Sequence, residues 1–309
     1  MKHNLKSDDI YNLFANSDPE LVWGKLVDII RRFRPDYDFG PVHSVFTDVI
    51  QLFQGKYPGY SSIRTLYHDM PHTLDVLLCG TRLMHGVHIS GTNLNDEEIT
   101  LILIAMLMHD IGYAQILGEE EGGTGAQYTQ THVRRGITFM QQYQEEKHLP
   151  ERYAKPLEPM MLSTDPSQVF TDICFPDDRS RMLGQIVVTA DLTGQMADRT
   201  YLEKLLFLYL EFKEAQFGNF QSVHDLLRQT KQFYEITRSK LDGPFGGLYR
   251  HLALHFREAI GVEQNYYLES IEKNMAYLDK VIAHNEAEYL SMLKRGGIVE
   301  KAQSLDFRN

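Results

Sequence analysis

The chain has 309 residues, 43% of them hydrophobic and 24% charged, the balance of an ordinary globular protein long enough to bury a core as one large domain or two small ones. Its net charge of −11 and pI near 5.6 exclude duplex nucleic acid as an expected partner, because no basic excess is available to release counterions. Two cysteines, Cys79 and Cys174, are too few for a disulfide framework and fit a reducing cytoplasm.

Helical signals dominate the chain in order. Met1 to Asp9 carry no apolar signal region. Ser17-Asp18-Pro19-Glu20 reads as a capping box with proline in the first turn, and Leu21, Trp23, Leu26, Val27 and Ile30 follow at helical spacing. A turn around Pro35 and Gly40-Pro41 leads to a second helix from Val42 to about Lys56, which Tyr57-Pro58-Gly59-Tyr60 breaks. The third helix spans His68 to about Leu83, with Pro71 in its first turn and His68 just before the regular part. Asn95-Asp96-Glu97-Glu98 caps a helix that is apolar on nearly every face up to Met108 and is therefore predicted to be buried. Its apolar run falls well below the roughly 20 residues that span a bilayer, so a soluble, cytoplasmic protein with no membrane partner is expected.

Gly118 to Gly125, with Glu119-Glu120-Glu121 inside it, reads as a flexible acidic loop, and no lysine follows to make it a phosphate-cradling loop. Helices are predicted over 131–146, which begins with His132, and over 157–164. Pro176-Asp177-Asp178 precedes the helix that delivers Asp191, and further helices are predicted over about 199–217, 222–241, 248–259 and 265–294. The tail from Gly296-Gly297 to residue 309 reads as frayed. With no strand alternation and no repeat, the expected fold is one all-α domain, a helical bundle whose motif-bearing core spans about 60–200, flanked by helices within 1–59 and 201–295.

Thirteen histidines occur, and most read as packed or solvated side chains. His68 and His72 differ: they lie four apart in Tyr67-His68-Asp69-Met70-Pro71-His72-Thr73-Leu74-Asp75-Val76, and the pair His109-Asp110 ends the next, buried helix. An imidazole and a carboxylate are costly to bury unless something charged satisfies them, and a divalent metal accepts both at once. A later apolar run, Ile186 to Ala190, ends in Asp191. Gln195 and Arg199 follow, four apart, near the expected mouth of such a site.

Four blocks in order resemble the HD superfamily of metal-dependent phosphohydrolases, and among its branches the catalytic core of class I cyclic-nucleotide phosphodiesterases. They are Tyr67-His68 with His72 and Asp75-Val76, then His109-Asp110, then Leu162-Ser163-Thr164-Asp165, then Ala190-Asp191-Leu192. The resemblance covers about residues 67–200. It implies that His72, His109, Asp110 and Asp191 bind a first metal and that Asp110 bridges to a second. It also implies that His68 is the general acid and that Asp165 orients the water or a ligand from outside the ligand set. The chain departs from the phosphodiesterase pattern at Tyr113, where those enzymes usually carry another histidine. His109-Asp110-Ile111-Gly112 and His132-Val133-Arg134-Arg135-Gly136 are instead similar to the HD-GYP branch, in which a histidine at the place of His132 helps bind the second metal. The plain alternative for His132 is a histidine that merely starts a helix.

The function these readings imply is hydrolysis of a phosphate mono- or diester by attack of a metal-bridged hydroxide. The substrate would be a nucleotide or another small phosphorylated metabolite. One or two divalent ions per chain are expected, and imidazole and carboxylate ligands admit Mg, Mn, Zn, Fe or Ni. A homo-oligomer is compatible with the sequence. The alternatives are an HD-fold diiron oxygenase, which uses a similar ligand set, and a non-catalytic nucleotide-binding HD sensor.

Overall fold

The computed structural model describes residues 18–118, 122–286 and 288–305. Twelve helices are described: α1 (Pro19–Phe33), α2 (Gly40–Gln54), α3 (Met70–Ile89), α4 (Asp96–Met108), α5 (His132–Glu146), α6 (Ala154–Leu162), α7 (Asp178–Ala197), α8 (Tyr201–Glu214), α9 (Val223–Asp242), α10 (Leu252–Ile260), α11 (Tyr266–Ile282) and α12 (Ile298–Ser304). The only extended pairing among the described residues is an isolated antiparallel bridge between Tyr60 and Ile116. The expected all-α architecture is the observed one. Among the described residues no helix is long and apolar enough to cross a membrane.

α4 lies at the centre. Every residue from Glu98 to Met108 is buried. Ile99, Thr100, Ile102 and Ile104 are poor helix formers, each less favourable than alanine by up to roughly 0.7 kcal/mol. Burying one isoleucine contributes about 1.5–3 kcal/mol, so packing outweighs propensity. The start of α4 is fixed by the predicted capping box: Glu98 N donates to Asn95 Oδ1 at 2.9 Å, and Asn95 N donates to Glu98 Oε2 at 2.8 Å.

α3 runs antiparallel to both α4 and α7, and small residues let it come close. A Cβ added at Gly80 would stand 2.1 Å from Met106 Sδ and 3.2 Å from Ala190 Cβ, and one at Gly194 would stand 3.2 Å from the Asp75 carbonyl. This approach brings the first turn of α3, the C-terminal end of α4 and the C-terminal half of α7 together at one end of the bundle.

Several boundaries differ from expectation. α3 continues to Ile89 instead of ending near Leu83, because residues 83–87 are all buried against neighbouring helices. The helix expected over 265–294 ends at Ile282, where His284 Nδ1 donates to the Lys280 carbonyl at 2.8 Å and closes the last turn. The tail is not frayed where it is described. Gly296 and Gly297 have φ of 70° and 63° and form a left-handed turn, after which α12 buries Ile298, Val299 and Ala302. Ser17, the acidic tip 119–121 and residues 306–309 lie outside the described residues.

At the far end of α3 from the site, a hydrogen-bonded chain links α3 to α10, with its two imidazoles buried and its carboxylate at the surface. Glu258 Oε2 lies 2.8 Å from His85 Nε2, and His85 Nδ1 lies 2.9 Å from His255 Nδ1. With both rings neutral, His85 donates to Glu258 and accepts from His255. Burial first, then the nearby Arg82 guanidinium, pushes the His255 pKa down to about 2. The unfolded chain takes up a proton on this histidine below about pH 6.5 and the folded one does not. The stability associated with neutral His255 is therefore present above pH 6.5 and lost as pH falls. Denaturant titrations at pH 7 and pH 5 should show a loss of about 2 kcal/mol from this histidine. The variant His255→Gln should lack that share of the pH dependence, whatever its stability at pH 7.

Candidate metal centre

Asp69 caps α3, its Oδ1 accepting from His72 N at 3.0 Å, and Pro71 sits in the first turn as expected. His72 therefore projects from a rigid helix start, with His68 just outside it. His109 closes α4. Its Nδ1 donates to the Met106 carbonyl at 2.8 Å, which leaves Nε2 unprotonated and turned inward when the ring is neutral. His132 repeats the device at the start of α5, with Nδ1 donating to the Thr129 carbonyl at 2.7 Å.

These rings converge on two carboxylates. His72 Nε2 stands 3.2 Å from His109 Nε2, 3.3 Å from Asp110 Oδ2 and 3.4 Å from Asp191 Oδ1. His109 Nε2 is 3.1 Å from Asp110 Oδ2 and 3.9 Å from Asp191 Oδ1. His132 Nε2 approaches the other Asp110 oxygen, Oδ1, at 3.4 Å. Ligand atoms of His72, His109 and Asp110 all lie within 4.8 Å of one another, and the three residues are 4%, 2% and 3% exposed. All five expected metal ligands, His72, His109, Asp110, Asp191 and His132, are thus brought together.

The donor set fits a divalent cation on two counts. Two imidazole nitrogens each about 2.1 Å from one ion stand roughly 3.0–3.4 Å apart, and the His72–His109 separation falls within that range. Asp110 Oδ2 is a buried carboxylate oxygen without a hydrogen bond, an arrangement that is expensive unless a positive charge faces it. Burial works against the charge on Asp110, yet His109 and His68 hold its carboxyl well below the usual range. Burial likewise opposes charging His72, but its contacts with Asp110 and Asp191 outweigh that and push its pKa up to about 10.

His68 stands beside this group on a different support. Its Nδ1 donates to Glu211 Oε2 at 2.6 Å, and Glu211 Oε1 accepts from the backbone N–H groups of Tyr67 at 2.6 Å and His68 at 3.4 Å. Glu211, on α8, is 2% exposed. Burial alone lowers the His68 pKa, but the charges of Glu211 and Asp110 prevail and leave it raised. The Tyr113 ring stacks on His132 at 4.4 Å and on His68 at 4.9 Å, so the departure from the phosphodiesterase pattern forms a wall of the site.

Asp165 is not drawn into the cluster by any described contact. Its Oδ1 accepts from Ser167 N at 2.9 Å and from Ser167 Oγ at 2.6 Å, a turn-stabilising role just beyond α6. Glu211 was not singled out by sequence reasoning. The available signal was an acidic residue on the apolar stripe of α8, four residues after buried Phe207.

Close backbone contact places His132. A Cβ added at Gly112 would lie 1.8 Å from the His132 carbonyl oxygen and 2.7 Å from Gly136 N. Arg135 clamps the same turn, with Nε donating to the Gly112 carbonyl at 2.8 Å and Nη2 to the Ala114 carbonyl at 2.7 Å.

Two outcomes follow for the centre. Gly112→Ala must push α5 away from Asp110. It should lower stability by about 1–3 kcal/mol in denaturant titration, with weakened metal binding that His132→Ala reproduces without the stability loss. In the metal-free chain, the raised His72 pKa contributes stability that is fully present below pH 6.5 and is lost as pH rises through about 10. A metal ion displaces that proton. Calorimetric titration of chelator-stripped protein with zinc near pH 8, in two buffers of different ionisation enthalpy, should show release of about one proton or more per chain.

The family model described as Npun_R2479-like matches residues 20–240, more than half of the chain, and the chain belongs to that family. The description names no reaction and no metal. No curated protein matches the sequence. The all-helical fold and the buried His72, His109 and Asp110 are compatible with an HD-type site.

Proposed function

We propose that this Npun_R2479-like protein is a metal-dependent phosphohydrolase of the HD type that cleaves a phosphate mono- or diester of a nucleotide or another small phosphorylated metabolite. The observation that carries the reading is the pairing of His68 with buried Glu211 beside the histidine–aspartate cluster. His72, His109, Asp110 and Asp191 would hold one divalent ion, and Asp110 Oδ1 with His132 would contribute to a second. Such ions supply Lewis acidity toward phosphoryl oxygens and a bound water of lowered pKa.

The chain's own residues account for the remaining needs. Glu211 holds the Nδ1–H of His68 and so turns Nε2 away from α8. Glu211 and Asp110 raise the His68 pKa against burial, which favours the form that can give a proton from Nε2 to the leaving oxygen. Tyr113 packs against both His68 and His132 and restrains their rings. His132 near Asp110 Oδ1 is the one observation that also suits a diiron oxygenase.

The test is elemental analysis of protein purified without chelator, together with hydrolysis of bis-p-nitrophenyl phosphate and p-nitrophenyl phosphate under added Mn, Mg, Zn, Fe or Ni. Metal-dependent release of nitrophenol is expected. His68→Ala should lower turnover by about 10²- to 10⁴-fold while bound metal is retained. Two irons per chain with oxygen consumption and no hydrolysis would support the oxygenase instead. Nucleotide binding without turnover under every metal would leave a sensor.

A further inference from the structure

Asp191 has a second set of contacts that point away from the histidines. Gln195, one helical turn later on α7, donates from Nε2 to Asp191 Oδ1 at 3.1 Å. The other end of that amide, Oε1, accepts from the Tyr67 hydroxyl at 2.8 Å. The chemistry fixes the direction of each bond. An ionised carboxylate only accepts, so the amide must turn its NH₂ toward Asp191. Its carbonyl then faces Tyr67, whose hydroxyl must donate. Tyr67 is 4% exposed, so its hydroxyl is shielded from bulk water. The backbone N–H of the same tyrosine donates to Glu211 Oε1, the carboxylate that holds His68.

We propose that Tyr67 and Gln195 form a positioning relay that orients the Asp191 carboxylate for metal binding and ties it to the Glu211–His68 pair. The proposal rests on the reading that the cluster binds a divalent ion. The oxygen that Gln195 contacts is the one nearest His72 and His109, at 3.4 Å and 3.9 Å. The amide therefore occupies one lone-pair direction of Oδ1 and leaves the other for the ion. Without the amide, the carboxylate rotates about χ2, and a terminal torsion of this kind is broad and weakly restrained by itself. Groups that hold a metal ligand from behind typically govern affinity by about 10- to 100-fold when removed. Gln195 and Tyr67 touch neither the ion nor the reacting atoms in this arrangement. They are positioning residues, and their effect belongs first to metal affinity.

The experiment uses the full chain stripped with a chelator and titrated with zinc alone against a chromophoric competitor. Gln195→Ala should weaken zinc binding by about 10- to 100-fold. Tyr67→Phe, which keeps the ring and its packing, should weaken it by up to about tenfold in the native background and have no further effect in the Gln195→Ala background. A merely structural tyrosine would act equally in both. Melting of the metal-free variants reports folding separately, and Tyr67→Phe alone carries the test if Gln195→Ala does not fold. Unchanged zinc affinity in the variants, or equal effects of Tyr67→Phe in both backgrounds, overturns the relay while leaving the metal centre intact. Failure of the unaltered chain to bind zinc overturns both.

Discussion

A carboxylate oxygen buried among imidazole edges, without a hydrogen bond of its own, is the constraint around which the fold is arranged. Asp110 Oδ2 lies 3.1 Å and 3.3 Å from two ring nitrogens, inside a bundle whose central helix is buried from Glu98 to Met108. An isolated charge in such surroundings costs several kcal/mol even after relaxation. The sequence meets that cost by close approach of helices. Glycines at 80 and 194 bring α3 against α4 and α7, and glycines at 112 and 136 bring α5 against the turn that follows Asp110. Substitution at any of these sites acts on the spacing of ligands that lie far apart in sequence.

The segment leading into α3 is the hub of the polar network. Tyr67 binds Glu211 through its backbone and Gln195 through its side chain, and Asp69 caps the helix that carries His72. Tyr67, His68, Asp69 and His72, within six positions, thus reach α8, α7 and the cluster itself. A displacement of this segment would move the proton donor and the ligand shell together. The site is consequently preorganised by few residues with several bonds each, rather than by many single contacts.

Much of this was legible in the sequence, for identifiable reasons. Helical periodicity and caps gave the bundle, since Asn95–Glu98 and Pro71 leave local signatures that need no tertiary information. His109, Asp110 and Asp191 stood out because polar groups at the ends of apolar runs demand a partner, and His72 and His132 stood out through spacing and the family resemblance. Glu211 stayed hidden because its partner His68 is 143 residues away and an acidic residue in an amphipathic helix usually faces water. Asp165 was singled out because the block around it repeats a family pattern, while its described contacts are local, with Ser167. The docking of α12 was missed because two glycines read as a loose end, although a left-handed turn uses the same residues to start a packed helix.

The His68–Glu211 pair also bears on why a catalytic reading is preferable to a binding module. Replacing a buried ion pair by apolar residues of similar volume is often neutral or stabilising, so stability alone gives little reason to keep one. Glu211 sits near buried Phe207 on a stripe that could be apolar throughout, yet it holds two backbone N–H groups and an imidazole. Its effect on His68 is to raise the pKa against the pull of burial, which benefits a group that must hold a proton at neutral pH. A module that only bound a nucleotide would use such a cation merely to attract a phosphate, a task that an arginine or lysine performs without a buried ion pair. A hydrolase would gain a proton at the leaving oxygen, on the side of the cluster where His68 stands.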